Sequence, residues 1–310
     1  MGWREFLALA GGLALFLHGM ELLGGGLKTV AAGKMRQFLE HFTASPLTGV
    51  LTGTIVTAVI QSSSATTVMV AGLADAGMMT PGQAAGVIMG ANIGTTVTGQ
   101  LVAFHADVLA PAVAFAGVML PVFFHRRRVR CAGNILVGLG ILFLGMEMMS
   151  AAMLPLRDSP LFLRMMTQAA NPPAGILAGA VFTAGVQSSS AAVGVLQALA
   201  QTGAVSLREA VYVLFGQNIG TCVTAVLAAA GMNRNAKRTA VIHLIFNLTG
   251  TVLFTVLCMI LPVVELAERS APENPAAQIA NMHLMFNAVT TALLLPFYRV
   301  PVRMAEKIVP

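Results

Sequence analysis

Charge is what this sequence has least of. Only 10% of its 310 residues are charged, against about 25% in a soluble domain that needs a hydrated surface. So few charges cannot cover a water-facing globule of this length, which excludes an ordinary soluble enzyme. Cysteine is scarce as well. Cys131, Cys222 and Cys258 lie in or beside apolar runs without metal-like spacing, so they form neither a disulfide framework nor a zinc site and serve as small core residues. There is no His-Cys cluster and no carboxylate cage. The few large polar aromatics, Trp3, Tyr212 and Tyr298, lie near the ends of apolar runs, as interfacial anchors do.

What is abundant is apolar: 56% of the residues, with a mean hydropathy of +0.80. Such a chain belongs in a lipid bilayer, where a span needs about 20 mostly apolar residues. The net charge of +6 comes from short Lys and Arg clusters between apolar runs, as loop anchors do, and nucleic acid is not an expected partner. The first run, Phe6 to Leu27, is long and Gly-rich and has no small-residue cleavage site, so it reads as a span rather than a signal peptide.

The sequence repeats itself at a constant offset of 126. Gly19-Met20-Glu21 recurs as Gly145-Met146-Glu147, and Pro46 as Pro172. Gln61-Ser62-Ser63-Ser64-Ala65 recurs as Gln187-Ser188-Ser189-Ser190-Ala191. Gly90-x-Asn92-Ile93-Gly94-Thr95-x-Val97-Thr98 recurs as Gly216-x-Asn218-Ile219-Gly220-Thr221-x-Val223-Thr224. Four blocks in one register, without an insertion, mark an internal duplication.

Apolar runs between polar breaks predict seven crossings, at 6–27, 82–105, 108–124, 131–153, 207–230, 240–264 and 278–297. Two further apolar stretches, 46–79 and 172–205, are each interrupted at their centre by Gln-Ser-Ser-Ser. Each half is about 14 residues, too short to span at 1.5 Å per residue, so each stretch is expected to be a re-entrant hairpin. With the hairpins not crossing, thirteen basic residues, Lys34 and Arg36 among them, fall on one side and five on the other. The positive-inside rule then places the N-terminus outside and the C-terminus in the cytoplasm of a multi-pass plasma-membrane (cell inner-membrane) protein. Three crossings separate the two repeat starts. Because three is odd, the units are inserted upside down relative to one another, the plan of secondary transporters. The expected units are 1–126, 127–264 and a C-terminal span with its tail at 265–310. The fold class is an all-α polytopic membrane protein: two inverted-topology repeats, each with a re-entrant helical hairpin and a broken transmembrane helix, plus extra C-terminal spans.

At a Gln-Ser-Ser-Ser tip, the carbonyls ending one short helix carry partial negative charge and the amides starting the next carry partial positive charge. Serine is a favoured N-cap whose hydroxyl can bond amides or a ligand. One tip can therefore offer oxygens to a small cation, and amides with hydroxyls to an anion. In the Asn-Ile-Gly-Thr motifs, Gly allows a local break while Asn and Thr supply neutral oxygens, which suit Na⁺ better than a transition metal. A single Ser-Ser-Ser run is commonly just a packing surface; two Gln-led runs with matching partners point to function. Glu21 and Glu147 also recur at the offset, toward span ends where solvation competes with function. His243-x-x-x-Asn247 and His283-x-x-x-Asn287 each place His and Asn on one helix face, for interhelical hydrogen bonding or a part in the transport site.

The twin QSSS motifs, each followed by NIGT, resemble the type II sodium-dependent phosphate cotransporter family over nearly the whole chain, to about Asn287. The resemblance implies sodium-coupled symport of inorganic phosphate by alternating access, with no enzymatic activity and Na⁺ as the co-transported ion. Carried over by position, it implies phosphate at Ser62, Ser63, Ser64, Ser188, Ser189 and Ser190. It implies sodium at Gln61, Ser64, Asn92, Thr95, Gln187, Ser190, Asn218 and Thr221. Cys222 stands where the first copy has Thr96, so the two sites need not be equivalent. Bacterial members often carry a further cytoplasmic helical domain; this sequence ends at Pro310, and regulation by such a domain is not expected. No Lys or Arg lies inside a span near the tips, so co-bound cations must balance the anion. The Gly-rich face of the first span is an expected surface for a homodimer. The competing readings are a cation channel, a Na⁺-coupled transporter of another small anion, and an enzyme with a membrane-buried serine nucleophile.

Overall fold

The computed structural model describes residues 2–31, 43, 45–104 and 109–310. Among these residues it is all-helical, with fourteen α-helices. They are α1 (Trp3–Ala31), α2 (Pro46–Ile60), α3 (Ser63–Asp75), α4 (Pro81–Val102), α5 (Ala110–Phe123), α6 (Arg127–Met153) and α7 (Pro160–Ala169). There follow α8 (Pro172–Val186), α9 (Ser189–Gln201), α10 (Leu207–Ala229), α11 (Arg234–Ile260), α12 (Val263–Ser270), α13 (Pro275–Leu294) and α14 (Arg299–Ile308). Five of them, α1, α6, α10, α11 and α13, are long and apolar enough to cross a bilayer. Of the other two expected crossings, α4 has 22 residues but a less apolar composition, which its nearly complete enclosure by protein permits. Helix α5 has 14 residues, about 21 Å of rise, short of a full span. Lys34, Arg36 and the inner ends of the runs 82–105 and 108–124 lie outside the described residues.

Proline or a hydroxyl cap sets many of the helix starts. Ser45 and Thr80 cap α2 and α4 in reciprocal capping boxes with Thr48 and Gln83, and proline occupies the first turn of each. The amphipathic helices α7, α12 and α14 were not foreseen from apolar runs. Helix α7 meets α8 at a bend of 106°, following the Asn171-Pro172-Pro173 stop.

The repeats are inverted, and packing between α1 and α6 shows it. These helices carry the Gly-Met-Glu blocks at the repeat offset, and they run antiparallel. Gly12 lies on Gly145 and Gly19 lies on Gly138. At offset 126 the mates of Gly12 and Gly19 are Gly138 and Gly145, so a two-fold rotation exchanges the two contacts. A Cβ on Gly19 would sit 2.5 Å from the Leu142 nitrogen, and one on Gly138 would sit 2.5 Å from the Leu23 nitrogen. Only glycine lets the two backbones approach so closely.

This contact corrects one expectation. The Gly-rich face of α1 is consumed by α6 of the same chain and is not free to receive a second copy. Antiparallel α1 and α6 also require an even number of crossings between them. Helix α4 and the shorter α5 make two when the apolar run of α5, expected to begin at 108, carries the chain back across, and when α2 and α3 together return to the face they left. The second hairpin is tested by contacts between loops. Asn233 bonds Asp75 through both its backbone nitrogen and its side chain (2.6 Å each), and Asn274 Nδ2 donates to the Ala103 carbonyl at 2.9 Å. Each contact joins segments on either side of α8–α9 in sequence, and both stay on one face only if that pair returns to the face it left, as short re-entrant arms do. On the other face, Arg208 at the start of α10 pairs with Glu265 (2.8 Å) and Glu268 (3.4 Å) near α12. Glu265 is held below its ordinary carboxylate range, first by a hydrogen bond to its own backbone and then by Arg208. Glu21 and Glu147 both lie on exposed faces, Glu21 beside His18 at 3.6 Å.

A second expectation is overturned. The helices that carry Asn-Ile-Gly-Thr are unbroken, from Pro81 to Val102 and from Leu207 to Ala229. Gly94 and Gly220 serve close packing instead: a Cβ on Gly94 would stand 2.5 Å from the Thr54 carbonyl oxygen, and one on Gly220 would clash with that of Ala180. Gly53, Gly90, Gly179 and Gly216 make the same kind of contact, so each hairpin's first helix lies directly against its own long helix. In each repeat the break at the motif level lies at the Gln-Ser-Ser-Ser tip and not in the long helix.

Gly19→Ala is expected to lower the thermal unfolding midpoint of the purified protein, a cost of about 1–3 kcal/mol for overpacking. Gly25, on the same helix with open space around it, should tolerate Ala or gain slightly from it. Equal midpoints for the two variants would show that the α1–α6 approach does not hold the units together.

Candidate functional site

The two tips are built alike. Gln61 ends α2 in the left-handed conformation (φ 59°, ψ 27°), and Gln187 ends α8 likewise (φ 56°, ψ 21°). They are the only non-glycine residues with positive φ among the described residues. A strained backbone of this kind costs on the order of 1–3 kcal/mol and persists where surroundings enforce it. Here the Gln amides donate to the Thr57 and Thr183 carbonyls at 2.7 Å, closing the incoming helix. The next residue, Ser62 or Ser188, is extended and caps the outgoing helix, its Oγ accepting from the amide of Ala65 or Ala191 at 3.2 Å. The reversal takes two residues. Capping leaves the amides of Ser63 and Ser64, and of Ser189 and Ser190, without partners inside the helix, at the positive end of its dipole. The hydroxyls of Ser63, Ser189 and Ser190 also find no partner among the described residues, although all three side chains are buried.

Each tip touches the opposite repeat. The outgoing helix α3 packs on α10, and α9 packs on α4. Ser64 Oγ lies 3.2 Å from Thr224 Oγ1, and Gln197 Nε2 of α9 donates to the Gly99 carbonyl at 2.9 Å. Thr98 Oγ1 donates to Gln61 Oε1 at 2.7 Å within the first repeat. The second tip lacks the matching bonds. Gln187 is exposed where Gln61 is buried, and neither Gln187 nor Ser190 bonds a threonine of α4 or α10. Inside the first hairpin Thr57 Oγ1 donates to Thr66 Oγ1 at 2.9 Å; in the second, Ala192 replaces Thr66 and Thr183 Oγ1 is buried without a partner.

The asparagines of the long helices face a second layer. His243 Nε2 meets Asn92 Oδ1 at 3.3 Å, and His283 Nε2 meets Asn218 Oδ1 at 3.2 Å. Thr251 Oγ1 donates to the Phe215 carbonyl and Thr291 Oγ1 to the Met89 carbonyl, both at 3.4 Å. Met89 and Phe215 are mates at offset 126. The same two-fold therefore exchanges α4 with α10 and α11 with α13, a relation carried in sequence by His-x-x-Phe-Asn at an offset of 40. The hydrogen-bonding alternative for these His-Asn pairs is the one observed, and it joins them to the motif asparagines. A closed set of bonds fixes the tautomer of His243. Asn247 Nδ2 donates to the His243 carbonyl (3.1 Å) and Asn92 Nδ2 donates to Asn247 Oδ1 (3.3 Å), so Asn92 Oδ1 must accept from Nε2–H. Around His283 the set is open, since Asn218 Nδ2 turns to the Leu214 carbonyl and Asn287 Oδ1 is buried unpaired.

Thr95 and Thr221 are buried and donate to the carbonyls of Ala91 (3.1 Å) and Gln217 (2.9 Å), which leaves their oxygen lone pairs available. Where the first repeat has Thr96, bonded to the Ile93 carbonyl, the second has Cys222, whose Sγ accepts from Asn247 at 3.2 Å. No Lys or Arg is buried among the described residues, and no group of His, Cys, Asp and Glu there could hold a metal ion. Thr98 and Thr224 were not singled out from sequence, although their recurrence at the end of the duplicated motif was a visible signal.

Residues 15–151 and again 159–295 match the family described as Na+/Pi-cotransporter. Among relatives, "Uncharacterized protein YqeW" of Bacillus subtilis is 33% identical over 303 residues, 96% of each chain. "Putative inorganic phosphate export protein YjbB" of Escherichia coli is 27% identical over 98% of this chain, which spans 55% of that protein's length. Human "Sodium-dependent phosphate transport protein 2B" is 32% identical over 128 residues, 40% of this chain and 19% of its own. No solved structure matches.

Asn247→Ala is expected to lower the unfolding midpoint more than Asn287→Ala does. The first change strands the buried Asn92 amide, worth about 1–3 kcal/mol, whereas the second leaves Asn218 Oδ1 still bonded to His283. An equal or larger loss for Asn287→Ala would contradict the closed and open sets described above.

Proposed function

This chain belongs to the Na+/Pi-cotransporter family, and on that premise we propose that it is a secondary active transporter coupling sodium to inorganic phosphate by alternating access. The observation that carries this reading is the pair of tips. Each sets unpaired amides and buried serine hydroxyls at a helix N-terminus, in an interior where no Lys or Arg is buried among the described residues. An anion can be recognised there, but its charge cannot be balanced by the protein alone. A dianion in such surroundings is costly unless cations enter with it, and this dependence is what couples the two fluxes.

In this reading Ser62, Ser63, Ser64, Ser188, Ser189 and Ser190 hold phosphate. The cations take neutral oxygens from Gln61, Ser64, Asn92, Thr95, Gln187, Ser190, Asn218 and Thr221. Among these, Thr95 and Thr221 are best prepared, because donation to backbone aims their lone pairs outward. Asn92 is the least free, since His243 and Asn247 already engage both ends of its amide. In this reading the chain lies in the plasma membrane with the N-terminus outside and the C-terminus in the cytoplasm, which the thirteen-to-five basic asymmetry supports.

A second reading, phosphate export, is favoured by the name of the Escherichia coli relative that aligns over 98% of this chain. The same site serves both readings, because the gradients set the net direction of a coupled carrier. Labelled phosphate moved by proteoliposomes should follow an imposed Na⁺ gradient in either direction and fail to follow K⁺. Ser63→Ala and Ser189→Ala should each slow it about tenfold, the effect of one hydrogen bond to a charged ligand, with the folded protein retained. Flux indifferent to Na⁺, or both variants with parental kinetics, would rule out sodium coupling or the tip site respectively.

A further inference from the structure

The two tips are identical in sequence and different in bonding, and the difference centres on two threonines. Thr98 and Thr224 are mates at offset 126, each on the long helix of one repeat. A threonine hydroxyl has one proton to give and can accept as well. Thr98 gives its proton to Gln61 Oε1 at 2.7 Å. Thr224 gives its proton to the carbonyl of Thr221, one turn back in its own helix, at 2.8 Å. With that proton committed, Ser64 must be the donor in the 3.2 Å contact with Thr224. The first tip is thus bonded to both long helices, through Gln61 to α4 and through Ser64 to α10. The mirror bonds, Thr224 to Gln187 and Ser190 to Thr98, are both unmade, and Gln187 is exposed.

We propose that Thr98 and Thr224 are positioning residues that latch the two hairpin tips in turn, and that this structure holds the first tip latched and the second released. In the opposite state, Thr98 turns its proton back to the Thr95 carbonyl, the mate of Thr221, while Thr224 donates to Gln187 Oε1 and Ser190 donates to Thr98. All four bonds are mutually compatible, since each threonine then gives one and accepts one, so the occluded intermediate has both tips latched. The carbonyl one turn back explains why release is easy. Thr98 is buried and Thr224 half-buried, and a donor shielded from water and left unpaired is penalised; parking it on the helix's own carbonyl avoids that penalty. Gln, rather than Ser or Gly, is needed at the left-handed position because its side chain must reach the threonine.

The inference rests on the alternating-access reading but can be tested without phosphate. Reporter cysteines at Val59→Cys and Gly185→Cys stand two residues before Gln61 and Gln187 at mated positions, Gly185 having open space around it. They are introduced with Cys131 and Cys258 replaced by Ala, Cys222 being fully buried. A polar maleimide is applied to nanodisc-embedded protein, which exposes both faces. In the parent, Gly185→Cys should react faster than Val59→Cys. Ser64→Ala breaks a bond that only the first latch makes, so it should raise the Val59→Cys rate by about fivefold, the shift one lost hydrogen bond makes in a two-state population, and slow Gly185→Cys. Ser64→Thr, which keeps the hydroxyl, should restore the parental pattern. Thr98→Val removes one bond from each state and should leave the ratio of the two rates within about twofold of the parent. Equal rates in the parent, rates in Ser64→Ala within twofold of the parent, or both reporters accelerated alike would overturn the latch. Phosphate flux measured separately on the parent keeps the readings apart: parental labelling in Ser64→Ala beside Na⁺-driven flux in the parent sinks the latch alone, whereas the expected labelling in a chain that moves no phosphate sinks the transport reading alone.

Discussion

Ending a helix inside a bilayer strands backbone amides and carbonyls where water cannot reach them, and every one must be met by protein. This chain does so four times, at the two ends that meet in each tip. The solution is local and economical. A left-handed glutamine returns its amide to the incoming helix, and a serine caps the outgoing one. What the caps leave over is a short row of amides and hydroxyls at the positive end of a helix. The candidate site is therefore the residue of a folding constraint. The groups that could not be satisfied from within are the ones positioned to take a ligand.

Such a tip holds its place only if the hairpin is clamped, and the glycines do the clamping. Gly53, Gly90 and Gly94, with their mates Gly179, Gly216 and Gly220, bring each hairpin's first helix against the backbone of its long helix. The outgoing helices then reach across to the other repeat. Outside this core, the antiparallel glycine seam of α1 and α6 joins the two units about the same two-fold. The architecture is symmetric along these glycine seams and departs from symmetry around the candidate site. Gln61 against Gln187, Thr66 against Ala192, and Thr96 against Cys222 are all differences near the tips.

Much of this was legible in the chain itself. A hydropathy that forbids a soluble surface, a duplication in constant register and an odd number of crossings together demanded two inverted repeats. The Gln-Ser-Ser-Ser interruptions, with arms too short to span, demanded re-entrant hairpins. The glycines misled in two places, because sequence shows that a glycine is present and not which backbone it faces. Gly94 and Gly220 read as breaks and proved to be points of close approach, and the Gly-rich face of α1 read as a docking surface and proved to be already occupied. The His-x-x-Phe-Asn pattern shared by α11 and α13 does not by itself disclose that the same two-fold relates them, because it recurs at an offset of 40, outside the main duplication, and only contacts to Asn92 and Asn218 reveal it.

By itself, then, the sequence determined the environment, the repeats, their inversion and the chemistry of the tips, since each follows from composition or from spacing along the chain. Only the tertiary structure decided which tip is held and which is released. Two identical tetrapeptides carry no difference to read. The asymmetry resides in where two threonine protons are placed, and that is settled by neighbours brought together from opposite ends of the chain.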